Sequence, residues 1–148
     1  MANVLERLRA MTRGEVPQPP VAQLLGFRLM SISTDEAIVE LDVAERHANP
    51  MGTIHGGILC DIADAAMGLA YAATLGADED GFTSLELKIN FLKAVRGGRL
   101  RAIGRVVHAG HTIGLVEGDV VNQKGELVAR ASSTFMTIRA KTAHARQG

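Results

Sequence analysis

The order of the predicted elements places the chain in the α+β class, as an antiparallel sheet wrapped around one long central helix. Two strand-like segments precede a long apolar segment of helical composition, and four strand-like segments follow it. Strands and helices do not alternate, which argues against a parallel doubly wound sheet. The central segment is apolar on nearly every side, so the helix needs cover on nearly every side. A sheet that curls around it supplies that cover.

The size and composition predict one well-packed domain. The chain has 148 residues, of which 47% are hydrophobic. We expect a single domain over 1–148, with a helical arm at 1–20 and a flexible tail at 141–148. Sixteen basic residues balance sixteen acidic ones and only 3% are aromatic, so neither charge nor base stacking favours nucleic acid. One cysteine and an N-terminus unlike a secretory signal predict a cytoplasmic protein.

The first part of the chain alternates short periodic segments with turn signals. We predict an amphipathic helix at Val4–Met11, ended by the prolines that begin at Pro17, and a helical turn at Val21–Leu25. Two strands at Phe27–Ser33 and Ala37–Val43 follow, joined by a polar turn at Thr34–Glu36. Glu45–Gly52 is polar and is predicted to be a loop.

The segment Ile54–Leu75 is predicted to be the central helix. It is rich in Ala, Ile, Leu and Met, and Gly76 stands where a C-cap is expected. Asp61 and Asp64 lie near its middle, where each would cost about 3 kcal/mol in a bilayer. We therefore predict a helix buried in a folded domain rather than a membrane span.

Four strands are predicted after a connection at Ala77–Gly81. They are Thr83–Val95, Arg99–Val107, Thr112–Asn122 and Glu126–Arg139, with a hairpin signal at Gln123–Gly125. Simple alternation in the first of them puts Ser84, Glu86, Lys88 and Asn90 on one face. The sheet is not predicted to close into a barrel, so its edges or outer face invite pairing with a second copy.

The start of the central helix has the properties of an oxyanion site. The first N–H groups of a helix lack intrahelical acceptors and lie at the positive end of its dipole. Glycine at that point, in His55-Gly56-Gly57, allows close approach to the backbone. Further along, Asp64 places a carboxylate among apolar residues, and a buried carboxylate without a partner is costly.

These residues form a motif that resembles a known family. Asn49, Gly52, His55, Gly56, Gly57 and Asp64 match the pattern N-x-x-G-x-x-H-G-G-(x)6-D of the phenylacetyl-CoA thioesterase (PaaI-like) branch of the hotdog superfamily. The segments Ser84–Ala94, Gly110–Val120 and Gly125–Phe135 resemble strands of the same family. The resemblance covers roughly 20–140.

The resemblance implies a hotdog fold that hydrolyses an acyl-CoA thioester at a homodimer interface, often within a homotetramer. It implies that the Gly56 N–H contacts the thioester carbonyl, that His55 positions that glycine, and that Asp64 is a general base or a nucleophile. Asn49 would orient water or the carboxylate. Ser84, with Thr83, would approach Asp64 from the other subunit. No metal and no redox cofactor is implied.

Coenzyme A itself suggests further binding residues. Lys93, Arg96, Arg99, Arg101 and Arg105 form a local basic patch that either binds its phosphates or is merely solvated. The amides around Gly110, His111 and Thr112 are a second candidate for the phosphates. Met67 and Tyr71, one and two turns beyond Asp64, are expected to line the acyl pocket. Gly57 at the helix start is expected to contact the substrate as well.

Several alternatives accompany these expectations. The alternative for Asp64 is a pair with a core cation, and the alternative for His55 is a purely capping role. Asp61 is either a second carboxylate of the site or a residue that faces solvent or an interface. Cys60 is expected to be a small buried side chain, and His108 with His111 lacks partners for a metal site. A hotdog dehydratase and a non-catalytic acyl-CoA binding domain are the competing functions. The acyl group is left open.

Overall fold

The computed structural model describes residues 3–76 and 79–140, with the backbone alone described at 79 and 80. The helices are α1 (Val4–Thr12), α2 (Pro20–Leu25) and α3 (Gly56–Ala72), with a 3-10 turn at Glu45–His47. The strands are β1 (Phe27–Ile32), β2 (Glu36–Asp42), β3 (Glu79–Phe91), β4 (Arg99–Ala109), β5 (Ile113–Val121) and β6 (Leu127–Arg139). The predicted order of two strands, one helix and four strands is confirmed.

The six strands form one antiparallel sheet in the order β1-β2-β4-β5-β6-β3. Strand β3 follows α3 in sequence but pairs with β6, so it forms one edge of the sheet while β1 forms the other. Helix α3 packs on the concave face and contacts every strand of this sheet. The α+β class with a sheet wrapped around the helix is confirmed.

Small residues allow α3 to lie directly on the sheet. Ala63, Ala66 and Ala70 are buried on the helix. A Cβ atom at Gly104 of β4 would lie only 2.4 Å from the carbonyl oxygen of Ala66, which is closer than atoms can approach. Glycine at 104 is therefore required by the backbone of the helix, not by a turn.

The ends of α3 differ from the predicted ones. The helix begins at Gly56 with His55 as N-cap, and it ends at Ala72 with Ala73 as a right-handed C-cap. The predicted C-cap at Gly76 is wrong, because the C-cap is Ala73, three residues earlier. The N–H of Ala73 donates to the Leu69 carbonyl and the N–H of Thr74 donates to the Tyr71 carbonyl, so no left-handed glycine is needed to close the last turn.

Strand β3 also starts and ends earlier than predicted. Part of the connection predicted at 77–81 is strand, since β3 starts at Glu79, while 77–78 lie outside the described residues. Beyond Phe91, the N–H groups of Leu92 and Lys93 both donate to the Val128 carbonyl, which ends the regular ladder. Val95 is buried, and its carbonyl accepts from the N–H of Ile54 just before α3.

A β-bulge in β3 changes which side chains face the helix. Ser84 pairs with Phe135 and Glu86 with Thr134, so Leu85 is an extra residue in the register. Ser84 therefore shares the concave face with Leu87, Ile89 and Phe91, whose partners on β6 also face the helix. The predicted face of Ser84 with Glu86, Lys88 and Asn90 is wrong at Ser84, because simple alternation contains no bulge.

Two further expectations concern the ends of the molecule and membranes. The predicted tail at 141–148 lies outside the described residues. Within 3–76 and 79–140, no helix has the length and apolar character to cross a bilayer.

Candidate active site

Asp64 and Ser84 meet on the concave side of the sheet. Asp64 is half-buried in the middle of α3, and the Ser84 hydroxyl donates to its Oδ1 at 3.0 Å. Both residues belong to the same chain, so the expectation that Ser84 reaches Asp64 from the other subunit is wrong. The bulge at Leu85 turns Ser84 toward the helix and makes this contact possible within one chain. Thr83 pairs with Met136 and so faces the opposite side of the sheet.

The Asp64–Ser84 pair lies where two spaces meet. On one side is a cavity of about 250 Å³ that Asp64, Asp61, Ser84 and Gln18 line together with apolar residues; these are Pro19, Val21, Phe27, Leu29, Ala65, Gly68, Leu69, Phe82 and Phe135. On the other side is an open groove along β3, lined by Cys60, Asp61, Asp64, Ser84, Leu85, Glu86 and Leu87. A carboxylate at the mouth of an apolar cavity can meet the polar end of an otherwise apolar group.

Two ionisable neighbours on α3 respond to Asp64. Burial raises the pKa of Asp61 above its ordinary value of 3.8, and the charge of Asp64 raises it further. Burial likewise raises the pKa of the Cys60 thiol, with smaller contributions from Asp61 and Asp64. The expectation that Cys60 is a buried side chain is wrong, because Cys60 is only half-buried and lines the open groove. A thiol held in its protonated form is nevertheless a poor nucleophile.

The start of α3 offers one backbone donor. The Nδ1 atom of His55 accepts from the N–H of Gly57 at 2.9 Å, so Gly57 already has its hydrogen bond. Among the described residues, none accepts from the N–H of Gly56. The Phe91 ring covers this glycine, since a Cβ there would lie 3.0 Å from Phe91 Cζ. His55 is thus the helix cap, and Gly56 keeps an N–H at the positive end of the helix.

Asn49 organises the loop that precedes α3. Its Oδ1 accepts from the N–H groups of Met51 and Thr53 at 2.9 and 3.2 Å, and its Nδ2 donates to Thr53 Oγ1 at 2.8 Å. The structure shows these contacts of the Asn49 amide inside its own loop and does not bring it to Asp64. Its position in the motif is accounted for by the shape of this loop.

His47 anchors the same loop and was not singled out from the sequence. Its ring is buried, accepts at Nδ1 from the Ala44 N–H at 2.9 Å, and lies 2.7 Å from the Leu25 carbonyl at Nε2. Because Nδ1 must accept, Nε2 carries the proton and donates to Leu25. The His47 carbonyl in turn accepts from the N–H of His55, which fixes the start of α3.

Met67 and Tyr71, expected in the acyl pocket, lie in the core between helix and sheet. Met67 is fully buried, next to Gly118 of β5. Tyr71 is also buried, stacks on Phe135, and its hydroxyl is 2.6 Å from Thr137 Oγ1. The cavity is lined instead by Ala65, Gly68 and Leu69 of the same helix. The spacing from Asp64 correctly predicted that both residues lie on the same helix as Asp64. It did not predict that their side chains point into the core instead of the cavity.

The basic patch is largely neutralised by carboxylates. Arg99 pairs with Asp42 at 2.8 Å, Arg101 with the buried Glu40 at 3.1 Å, and Arg105 with Glu36 at 3.0 Å. These carboxylates lie on β2, far from the arginines in the sequence, so the sequence alone did not indicate the ion pairs. Lys93 pairs with Glu126 at 3.0 Å, while Arg96 donates to the Met51 carbonyl at 3.2 Å, beside the loop that leads into α3.

The second predicted phosphate site lies at the other end of β4. There the Gly110 N–H donates to the Ile113 carbonyl, the Thr112 carbonyl accepts from Thr137, and the His111 carbonyl accepts from Arg139. The eleven residues of β4 separate this turn from Arg99 by about 33 Å at the usual rise of a strand. One phosphate group therefore contacts one of these two sites, not both.

Comparison with known proteins identifies the family of the chain. The family model described as the thioesterase superfamily matches residues 51–129, a range that includes Gly56, Asp64 and Ser84. A conserved protein of Pseudomonas aeruginosa of known structure is 36% identical, covering 82% of this chain and 95% of that one, with a TM-score of 0.77. The 1,4-dihydroxy-2-naphthoyl-CoA hydrolase of Escherichia coli is 28% identical, and the match covers 88% of this chain and 91% of that protein.

The similarity of fold extends to the branch that the motif suggested. The PaaI protein from the phenylacetic acid degradation operon of Escherichia coli superposes with a TM-score of 0.81, covering 94% of this chain and 99% of that one. At 23% identity this likeness concerns the fold. It confirms the predicted hotdog architecture.

Proposed function

The chain belongs to the thioesterase superfamily, and from that premise we propose that it hydrolyses an aryl- or medium-chain acyl-CoA thioester to the free acid and CoA, with Asp64 as general base or nucleophile. The observation that carries the proposal is the Asp64 carboxylate, held by the Ser84 hydroxyl at 3.0 Å at the mouth of an apolar cavity. The cavity takes the acyl chain, and the open groove along β3 takes the thiol side of the substrate.

The chemistry needs little besides this carboxylate and one donor. As a base, Asp64 removes a proton from water while the water oxygen bonds to the thioester carbon; as a nucleophile, it bonds to that carbon itself and water later hydrolyses the anhydride. In both cases the C–S bond breaks and CoA leaves as a thiolate. A thiol has a pKa of about 8.5, so the thiolate is a good leaving group. Ser84 orients the carboxylate.

The carbonyl donor that fits best is the N–H of Gly56, and it requires a second copy of the chain. Eight residues separate Gly56 from Asp64 along α3, which at the rise of a helix is about 12 Å. Reacting groups must approach within about 3.5 Å, so the two residues of one helix cannot serve one thioester. We therefore assign Gly56 of one copy and Asp64 with Ser84 of another to each site.

The edge of the sheet offers the place for that second copy. Strand β3 is an edge strand, and Leu85, Phe91 and Leu92 near or on it are each more than half exposed. Unpaired strand edges with exposed apolar side chains favour pairing with another chain. A homodimer is the smallest assembly that this proposal needs, and a homotetramer would consist of two such dimers.

Arg96 is the proposed contact for the CoA phosphates, with Lys93 beside it. Both lie in the segment after β3, and Arg96 packs against the loop that enters α3, close to Gly52. A guanidinium has five donors, so one bond to the Met51 carbonyl leaves others for a phosphate. The turn at Gly110, His111 and Thr112 stays the alternative. One free thiol fits the proposed cytoplasmic location.

The test is CoA release from a panel of acyl-CoAs, followed with a thiol reagent, for the wild type and for Asp64→Asn. We expect the substitution to lower kcat by roughly 100- to 10,000-fold, the usual contribution of a positioned base. Asp35→Asn, the same exchange at an exposed carboxylate in the turn between β1 and β2, is the matched control and should keep its rate. Full activity of Asp64→Asn would exclude the assignment, and tight CoA binding without release would indicate a binding domain instead.

A further inference from the structure

Aromatic rings form part of the wall of the apolar cavity beside Asp64. The Phe82 ring meets Phe135 edge-on at a centroid distance of 5.8 Å, and it meets Tyr71 at 5.9 Å. Tyr71 is held in turn by its hydroxyl contact of 2.6 Å with Thr137. Phe82 and Phe135 line the cavity, whereas Tyr71 supports them from behind. The wall is therefore backed by fully packed core and has little room to retreat.

Gly68 of α3 stands directly against this wall. A Cβ atom at residue 68 would lie 3.1 Å from Cε2 of Phe82 and 3.6 Å from Cε1 of Phe135. Glycine in the middle of a helix is unfavourable relative to alanine, so its presence there calls for a packing reason. The close approach of the Phe82 ring is that reason. Gly68 also lines the cavity, one turn beyond Asp64.

We propose that Gly68 is a specificity-determining residue that, together with Phe82, sets the largest acyl group the cavity admits. This inference rests on the proposed function. An apolar cavity of about 150 Å³ suffices for one benzene ring. The cavity of about 250 Å³ beside Asp64 therefore holds a single ring with a short linker, or a chain of similar volume. Long straight chains and groups larger than this volume would collide with Phe82.

The experiment compares kcat/KM over a series of straight-chain acyl-CoAs of increasing length, with one single-ring and one fused-ring acyl-CoA. Phe82→Leu removes the Phe82 ring from the cavity wall and should raise kcat/KM for the longest chains at least about tenfold relative to short ones. Gly68→Ala adds a methyl group at the wall and should shift the cutoff to shorter chains. We expect it to lower kcat/KM for the longest chains about tenfold relative to short ones. The double variant Gly68→Ala/Phe82→Leu should return toward the wild-type cutoff.

Gly118→Ala is the matched control, because it adds a methyl group on β5 that contacts α3 at Met67 rather than at the cavity. Its Cβ would lie 3.0 Å from Cγ of Met67, in the core and outside the cavity. This variant should change stability without changing the order of preferred chain lengths. Thermal unfolding of each variant separates misfolding from specificity, and Phe82→Leu keeps the test valid if Gly68→Ala does not fold.

The outcomes distinguish this inference from the proposed function. If the wild type releases CoA but Phe82→Leu and a folded Gly68→Ala keep its cutoff, the role of Gly68 is overturned while the hydrolase assignment stands. If the wild type releases no CoA from any substrate, the proposed function itself fails. A cutoff that lengthens in Phe82→Leu and shortens in Gly68→Ala supports the inference.

Discussion

Asp61 and Asp64 lie one turn apart on α3 and both line the cavity and the groove of the proposed site. Burial raises the pKa of Asp61 above 3.8, and the nearby charge of Asp64 raises it further. Two carboxylates that share a site disfavour each other's ionised form. The sequence showed both residues, but the distance of each from solvent and from Ser84 came from the fold.

Asp61 should therefore make stability depend on pH. A carboxyl whose folded-state pKa is raised contributes stability that is complete below its unfolded pKa and is lost as the pH rises through the folded value. Asp61→Asn should be more stable than the wild type at pH 7, by less than about 1 kcal/mol because solvent screens the site. At about pH 3 the difference should vanish. Urea unfolding at both pH values measures it.

Asp42, on the outer side of the sheet, is a control in which the pKa shift has the opposite sign. The hydrogen bond from Arg99 lowers the pKa of Asp42, so Asp42→Asn should lose stability at pH 7 and not at low pH. Asp61→Asn that is less stable than the wild type at pH 7 would contradict the proposed repulsion.

At the level of elements, the bulge in β3 decides the composition of the site. Without Leu85 as an extra residue, Ser84 would stand on the outer face with Glu86, and Thr83 would face the helix instead. With it, Ser84 donates to Asp64. A single inserted residue thus selects which of two neighbouring hydroxyl groups reaches the carboxylate.

Ser84→Ala and Thr83→Ala should therefore differ although the residues are adjacent. Loss of a hydrogen bond to a charged group is worth about 1.5 kcal/mol or more, so Ser84→Ala should lower kcat at least about tenfold. Thr83→Ala should keep kcat close to the wild-type value, because its side chain faces the other side of the sheet. Steady-state kinetics with one acyl-CoA compares the two. Equal losses would mean that the register of β3 differs from the one described.

At the level of the whole molecule, the length of α3 makes the proposed site dependent on assembly. In the proposed site, Gly56 comes from one chain and Asp64 from another, because the two residues are about 12 Å apart along one helix. Activity is then coupled to dimerisation, and dilution below the dimer dissociation constant should remove both together.

Mixing two inactive variants tests this arrangement. Gly56→Pro removes the N–H at the first helical position, where proline is tolerated, and His55 before it has the extended conformation that proline requires (φ −66°, ψ 136°). Asp64→Asn removes the carboxylate. After the variants exchange subunits, half of the dimers are mixed and each has one intact site, so about a quarter of the wild-type activity should return.

The Phe91 ring must move aside for the proline at residue 56, so folding of Gly56→Pro is checked first by circular dichroism. If Gly56→Pro does not fold, adding Phe91→Leu to the same chain gives the proline ring more room. Folded variants that exchange subunits and regain no activity would show that one chain supplies both groups.

The sequence by itself determined the class of fold and the reactive elements. Periodicity and composition are local properties, and they sufficed for two strands, a buried helix and four strands, and for a glycine-rich start and two carboxylates on α3. The motif around Asp64 also led to the correct family. These features follow from residues that are close in the chain.

Only the tertiary structure decided which distant residues meet. The bulge that turns Ser84 toward Asp64, the β2 carboxylates that neutralise Arg99, Arg101 and Arg105, and the Phe82 ring against Gly68 all join separate elements. Strand register, ion pairs across a sheet and side-chain packing depend on contacts between segments, and a period in one segment does not encode its partner. For the same reason the sequence placed Met67 and Tyr71 in the pocket, whereas the fold turned them into the core.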